Sequence, residues 1–101
     1  MRKYIEKKIL PEYYRAVYSG EKTFEIRKDE DDIQVDDVVF LLEYDGKEYT
    51  GYVIKAKVTY VLRNCPEYGL MDGYCVFGIK PYYKGYYFRG KRIKMNVIEN
   101  Y

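Results

Sequence analysis

Histidine and tryptophan are absent from the 101 residues of this chain, and only two cysteines are present. Without histidine, the chain lacks the usual general base at neutral pH and the commonest metal ligand in proteins. Cys65 and Cys75 are too few for a disulfide scaffold, and they lack the C-x-x-C spacing of a structural zinc site. We therefore expect no metal or other cofactor. Any catalysis would depend on Lys, Glu, Asp, Thr or Tyr.

Long apolar segments are also missing. No apolar run approaches the roughly 18 residues that cross a bilayer, and no N-terminal stretch has the basic, apolar and small-residue order of a secretory signal. Together with the expected reduced thiols, these absences predict a cytoplasmic protein with no membrane partner. A chain of this length is expected to form one domain, as a monomer or weak dimer.

Tyrosine is abundant, with 15 Tyr beside 4 Phe. Tyrosine has an apolar ring and a polar tip, so it suits both half-exposed strand positions in a small β-rich domain and aromatic binding surfaces.

Charge is unevenly distributed: residues 1–79 carry 12 Lys/Arg and 15 Asp/Glu, whereas residues 80–101 carry 6 Lys/Arg and one acid. The last fifth of the chain is therefore basic and tyrosine-rich, which suggests a polyanion or an acidic partner.

Residue patterns predict about six short strands and one helix. Strands are expected over 2–10, 22–27, 37–44, 48–62 and 74–80, a helix over 11–19, and a final hairpin over 86–98 that turns at Arg89-Gly90-Lys91. Asp45-Gly46 predicts a hairpin turn, and Gly51 predicts a bulge or a bend. The expected fold is a small, mainly β (α+β) barrel with the helix in its N-terminal half. We divide it into a barrel over 1–80 and an extension over 81–101 that packs on the same domain.

The segment GEKTFEIR, residues 20–27, alternates polar and apolar residues. Strand periodicity places Phe24 and Ile26 on one side, which we expect to face inward, and Thr23, Glu25 and Arg27 on the other. With Lys22 at the start of the strand, these polar residues are candidates for a binding wall. Arg27 would grip a phosphate or carboxylate, and Glu25 would accept hydrogen bonds or act as a base. A purely structural Glu25–Arg27 pair, worth about 0.2–1 kcal/mol, explains the pattern equally well.

This segment resembles the ASCH branch of the PUA-like superfamily, whose hallmark is a helix, then G-x-K-T, then a strand that ends in arginine. It is most similar to a small subfamily of phage and bacterial proteins, and the resemblance extends over about residues 5–80. The matching positions are Lys8, Ile9, residues 11–14, Ala16, Val17, Gly20, residues 22–28 and Val35. The resemblance implies a PUA-like or ASCH β-barrel with a groove beside the helix, and a role in RNA binding.

One ASCH branch hydrolyses N-acylated cytidine with a lysine, a threonine nucleophile three residues later and a distant glutamate. Its lysine corresponds to Lys22 and its threonine to Glu25, whereas Thr23 lies two residues before that position on the same strand face. The chain departs from its subfamily at Asp29-Glu30-Asp31, where Asn-Asp-Arg is usual, so the groove is expected to be less basic. If the protein is an enzyme, its catalytic residues would be Lys22, Thr23 and Glu25.

Three functions follow from these features. The first is a noncatalytic module that binds RNA or a modified nucleotide through Lys22, Thr23, Glu25 and Arg27, with Arg89, Lys91 and Arg92 as further contacts in the tail. The second is an amidohydrolase that acts on N-acylated cytidine-like nucleosides. The third is a phage or mobile-element module that binds a host protein. The acidic loop over residues 29–37 is expected to be a solvated loop, and a low-affinity cation site is the alternative.

Overall fold

Six strands and one α-helix form the framework of the described residues. The computed structural model describes residues 1–88 and 91–97, with side chains described through residue 86. In chain order the elements are β1 (Tyr4–Ile9), α1 (Pro11–Tyr18), β2 (Phe24–Lys28), β3 (Val38–Tyr44), β4 (Tyr49–Arg63), a 3₁₀ turn (Pro66–Tyr68), β5 (Tyr74–Phe88) and β6 (Lys91–Val97). The predicted mainly β, α+β fold is confirmed.

The strands form one sheet that curls into a half-barrel. Its order is β1-β3-β4-β5-β2, so β1 and β2 lie at the two ends of this path. β1 runs parallel to β3, and the other pairs are antiparallel. The first half of β5 pairs with β2, and its second half pairs with β6. This arrangement leaves a seam between β1 and β2.

The core fills the concave side of the sheet beneath α1. The helix packs against β3 and β5. Buried side chains on alternate positions of the strands meet Tyr14 and Val17 of the helix, because successive strand residues point to opposite faces. The buried cluster comprises Ile5, Ile9, Tyr14, Val17, Ile33, Val39, Leu41, Ile54, Ala56, Val58, Cys75, Phe77 and Ile79.

Helix α1 begins and ends where the sequence predicts. Pro11 occupies the first turn, where its missing N–H is not needed, and Glu12 places an acid near the positive end of the helix dipole. The helix ends at Tyr18, and Gly20 follows with a φ of +85°, a conformation that glycine adopts without steric cost. The chain then turns back toward the start of β2.

The hairpin between β3 and β4 also follows its sequence signals. The Asp45 carboxylate accepts hydrogen bonds from the backbone N–H groups of Lys47 and Glu48 at 2.8 and 3.0 Å, which fixes the turn. Gly51 has a φ of +102° and lies where the β3–β4 register shifts. The predicted bulge is therefore confirmed.

β5 is longer than the predicted strand over 74–80. It continues through Pro81, which pairs with Ala56, whereas Tyr83 pairs with Lys55. Tyr82 is thus the extra residue of a bulge, and irregular pairing of this kind tolerates a proline, which cannot donate a ladder hydrogen bond. β5 and β6 form the last antiparallel pair, and Arg89 and Gly90 of the predicted turn lie outside the described residues. The division at residue 80 stays a prediction.

Within the described part of the chain, no helix has both the length and the apolar character needed to cross a bilayer.

Candidate functional site

A groove of about 490 Å³ lies at the seam between β1 and β2. The end of β1, the first turn of α1 and the length of β2 form its walls, so segments from both ends of the sheet path meet there. Its lining residues are Lys8, Ile9, Leu10, Tyr13, Lys22, Phe24, Glu25, Ile26 and Arg27. Three of the four predicted site residues, Lys22, Glu25 and Arg27, are therefore brought together.

Glu25 is a buried carboxylate held between two cations. Glu25 is only 3% exposed to solvent. Arg27 donates from Nε and Nη2 to Oε1 at 2.9 and 2.6 Å, and Lys22 Nζ donates to Oε2. A buried charge is costly unless it is paired and hydrogen-bonded, and here both oxygens have partners. We call Lys22, Glu25 and Arg27 the charged triad.

Lys22 reaches Glu25 because the chain bends just before β2. Residues three apart on a regular strand would face opposite sides, but Lys22 precedes the strand. Its Nζ also donates to the carbonyl of Phe24 at 2.8 Å. The ammonium lies 5.6 Å from the ring centre of Tyr13 and 5.2 Å from that of Phe24, within cation–π range. Charge and aromatic surface therefore meet at one place in the groove.

The predicted orientation of β2 is wrong. Phe24 and Ile26 are 44% and 56% exposed, whereas Glu25 is buried. The alternation itself is present, but the polar side faces inward, because the seam provides a place where Glu25 can be buried with both cations. The two apolar side chains instead form an exposed rim of the groove.

Thr23 does not join the charged triad. It is exposed, it precedes β2 and it is not among the groove-lining residues. Its carbonyl accepts a hydrogen bond from the backbone N–H of Ile79 at 2.9 Å, which continues the pairing between β2 and β5. The expectation that Thr23 shares the wall with Glu25 and Arg27 is therefore wrong.

The acidic loop before β3 forms ion pairs with residues on and next to the strands of the sheet. Each of four carboxylates contacts a cation on another segment, at 2.5–3.0 Å, so the loop is paired with the sheet as well as partly solvated, as the sequence predicts. The pairs are Asp29–Arg63, Asp31–Lys7, Asp36–Lys57 and Asp37–Lys3. Among the described residues, no group of three or more Cys, Asp or Glu side chains is arranged to hold a metal ion.

The tail candidates lie apart from the charged triad along the chain. Arg89 is outside the described residues, and Lys91 and Arg92 occupy register positions opposite Phe88 and Tyr87 on β5.

Sequence reasoning missed the β1 and α1 side of the groove. Lys8, Leu10 and Tyr13 line it, but nothing in their local pattern distinguishes them from an ordinary strand end and helix start. They reach the groove because β1 pairs with β3 and lies at the end of the sheet path, beside the seam. That pairing is a long-range property that strand periodicity does not reveal.

The sequence matches one family model. The model of a domain of unknown function, DUF3850, matches residues 5–79. The chain belongs to the DUF3850 family. The matched DUF3850 region runs from β1 into β5 and includes every residue that lines the groove, whereas the end of β5 and β6 lie beyond it. No curated protein matches the chain.

Proposed function

We propose that this DUF3850 protein is a noncatalytic binding module that holds RNA or a modified nucleotide in the groove at the β1–β2 seam. The observation that supports this proposal best is the charged triad, a buried carboxylate between two cations beside exposed rings. A nucleotide offers the matching groups, namely an anionic phosphate, donor and acceptor edges on the base, and a flat face that stacks.

The dimensions of the groove suit a ligand of this size. Small-molecule sites typically enclose about 300–1,000 Å³ and combine apolar walls with a few converging polar groups. Here Tyr13, Phe24 and Ile26 supply the apolar walls, and the triad supplies the polar groups. A base that stacks on Tyr13 or Phe24 would therefore bring its edge toward Glu25.

The triad retains hydrogen-bonding capacity for a ligand. Two of the five N–H donors of Arg27 are directed to Glu25, and a guanidinium fork suits phosphate geometry. Each carboxylate oxygen has two lone pairs; Oε1 accepts twice from Arg27, whereas Oε2 accepts once from Lys22 and can also accept from an exocyclic amine. The resemblance to ASCH proteins, whose superfamily is associated with RNA, supports the same ligand class.

Arg27→Ala is expected to weaken the binding of short single-stranded RNA, which the wild-type protein binds at micromolar concentration, by roughly tenfold or more, the effect of losing a hydrogen bond to a charged group. The substitution removes the donors that would contact phosphate and leaves Glu25 with Lys22 alone. Fluorescence anisotropy with labelled single-stranded RNA, duplex RNA and DNA measures the effect. Because few phosphates fit in the groove, the salt dependence should be shallow.

Lys28→Ala is the matched control, since it removes one positive charge from the next position of β2 but does not line the groove. It should bind like the wild type. If Lys28→Ala weakens binding as much as Arg27→Ala, the effect is general electrostatics and the groove proposal fails. Loss of binding only in Lys91→Gln/Arg92→Gln would place the site in the tail instead.

The contact between Lys22 and Glu25 favours a second candidate, an amidohydrolase of N-acylated cytidine-like nucleosides. Glu25 would take a proton from an attacking water, and Lys22 would donate one to the leaving amine as the acyl C–N bond breaks. Thr23 lies outside the groove lining, so a threonine nucleophile is not supported there. Incubation with N-acetylcytidine decides between the two functions. Turnover that Lys22→Ala removes would replace the binding proposal. If the wild-type protein shows no turnover, the amidohydrolase hypothesis is wrong.

A further inference from the structure

A second concentration of aromatic side chains lies where β4 and β5 meet α1, away from β2. Tyr14 and Tyr18 of α1 pack with ring centres 6.1 Å apart, and Tyr14 lies equally far from Tyr52 on β4. Tyr52 in turn packs on Tyr86 of β5, at 4.8 Å. We call these four residues the tyrosine surface. None of them lines the groove.

The tyrosine surface is anchored at its centre and exposed at its edges. Tyr14 is buried, and burial together with Glu43 raises the pKa of its phenol well above the ordinary value. Tyr18 and Tyr52 are 45% and 49% exposed. The exposed rings are therefore held in place by a buried one, so a ligand that stacks on them meets a preorganised surface.

Positive charge accompanies these rings. Lys84 Nζ lies 3.6 Å from the centre of the Tyr18 ring, and Lys84 precedes Tyr86 by two residues on β5. Strand β6 pairs with the same stretch of β5, with Lys94 opposite Tyr86 and Asn96 opposite Lys84. The sequence of β6, KRIKMNV, contains three cations and no acid. The basic end of the chain is thus placed beside the tyrosine surface.

We propose that the tyrosine surface is a second binding site, one that takes single-stranded nucleic acid by stacking of its bases on Tyr52 and Tyr86, with Lys84, which lies over the Tyr18 ring, contacting the backbone. Rings for stacking together with lysines for the backbone are the combination that single-strand binding requires. A protein partner is less well matched, because the centres of protein interfaces are depleted in lysine. This site does not depend on the groove for its chemistry.

Helix α1 separates the two sites. Tyr13 faces the groove, and Tyr14 and Tyr18 belong to the tyrosine surface. An α-helix with its side chains is about 10–12 Å wide, so both sites are within the span of a strand of several nucleotides. A longer strand is therefore expected to bind more tightly than a short one that fills the groove alone.

Tyr52→Ala is expected to weaken the binding of an oligouridylate of about 12 nucleotides roughly 5- to 150-fold, the range for loss of one stacked base. Tyr52→Phe keeps the ring and should bind like the wild type. Tyr68→Ala removes an exposed tyrosine at the far end of β4 and β5, and it should also have no effect. Anisotropy at fixed salt measures all four proteins, and circular dichroism confirms that each is folded.

The groove variant Arg27→Ala separates this proposal from the previous one. If both sites contribute, combining it with Tyr52→Ala multiplies the two losses, and if only the tyrosine surface binds, Tyr52→Ala alone shows the loss. Unchanged affinity in Tyr52→Ala overturns the proposal. It is equally overturned if no oligonucleotide binds and sedimentation shows wild-type self-association that Tyr52→Ala disperses, because the surface would then be a protein interface.

Discussion

Glu25→Gln should lower the free energy of unfolding by about 3 kcal/mol, because removing one partner from a buried ion pair leaves the remaining charges uncompensated. Lys22 and Arg27 both converge on this carboxylate, and their side chains are only 18% and 23% exposed. Because the two cations keep some contact with solvent, the expected loss of unfolding free energy is at the low end of the range for buried ion pairs. Urea unfolding monitored by circular dichroism measures it.

The loss should be specific to the triad. Glu21→Gln is the matched control, since Glu21 is exposed and its described contact is a hydrogen bond from the Ser19 hydroxyl. It should change stability by less than about 0.5 kcal/mol. In a double-mutant cycle, Glu25→Gln and Arg27→Gln together should cost less than the sum of the single changes. Additive losses would show that the two side chains do not interact in solution.

Asp37→Asn should destabilise the protein by about 2–4 kcal/mol, because Asp37 is a buried carboxylate that gathers three donors. It is 1% exposed, and its oxygens accept the backbone N–H groups of Lys3 and Gln34, both at 2.8 Å. The Lys3 ammonium adds an ion pair at 2.9 Å. An asparagine would turn an N–H group toward one of these donors. The melting temperature and urea midpoint should both fall.

The same carboxylate makes the fold sensitive to acid. Burial alone would raise the pKa of Asp37, but the hydrogen bonds from Lys3 and Gln34 and the Lys3 charge outweigh it, so the pKa lies below its ordinary value. A group with a lowered folded-state pKa stabilises the protein fully above its unfolded value of about 3.9. That stabilisation is lost as the pH falls through the folded pKa. Asp37→Asn should therefore flatten the fall in stability below pH of about 4.

Asp36→Asn is the control for both measurements. Asp36 neighbours Asp37, but its side chain is 60% exposed and it pairs with Lys57 at the surface. Exposed ion pairs contribute about 0–1 kcal/mol to stability. The free energy of unfolding of Asp36→Asn, and its fall at acidic pH, should therefore stay close to those of the wild type. If Asp36→Asn is as damaging as Asp37→Asn, the loop is held by its overall charge rather than by the buried carboxylate.

The inversion of β2 shows a limit of strand periodicity. Alternation separates Glu25 and Arg27 from Phe24 and Ile26, and it predicts that the first two share a face, as they do. It does not indicate which face is buried, because that depends on what the rest of the fold offers. A glutamate faces inward here only because Lys22 and Arg27 both reach it.

Local signals were sufficient where local geometry decides the structure. Pro11, the Asp45 turn and the Gly51 bulge fall where the sequence places them, since each depends on backbone preferences within a few residues. The groove depends on β1 and β2 meeting across the sheet, and the acidic loop depends on cations from β1 and β4. Both are long-range arrangements, so composition predicted their charge but not their partners.

Chemical-shift mapping on the ¹⁵N-labelled protein, titrated with a short oligouridylate, tests the central claim most directly. If the groove is the binding site, the largest amide shifts will fall on residues 22–27 of β2 and its approach and on residues 8–10 at the end of β1. If the amides of these two segments stay unchanged while amides elsewhere shift, the groove is not the binding site. A titration that shifts no amide at all would contradict the proposal as well.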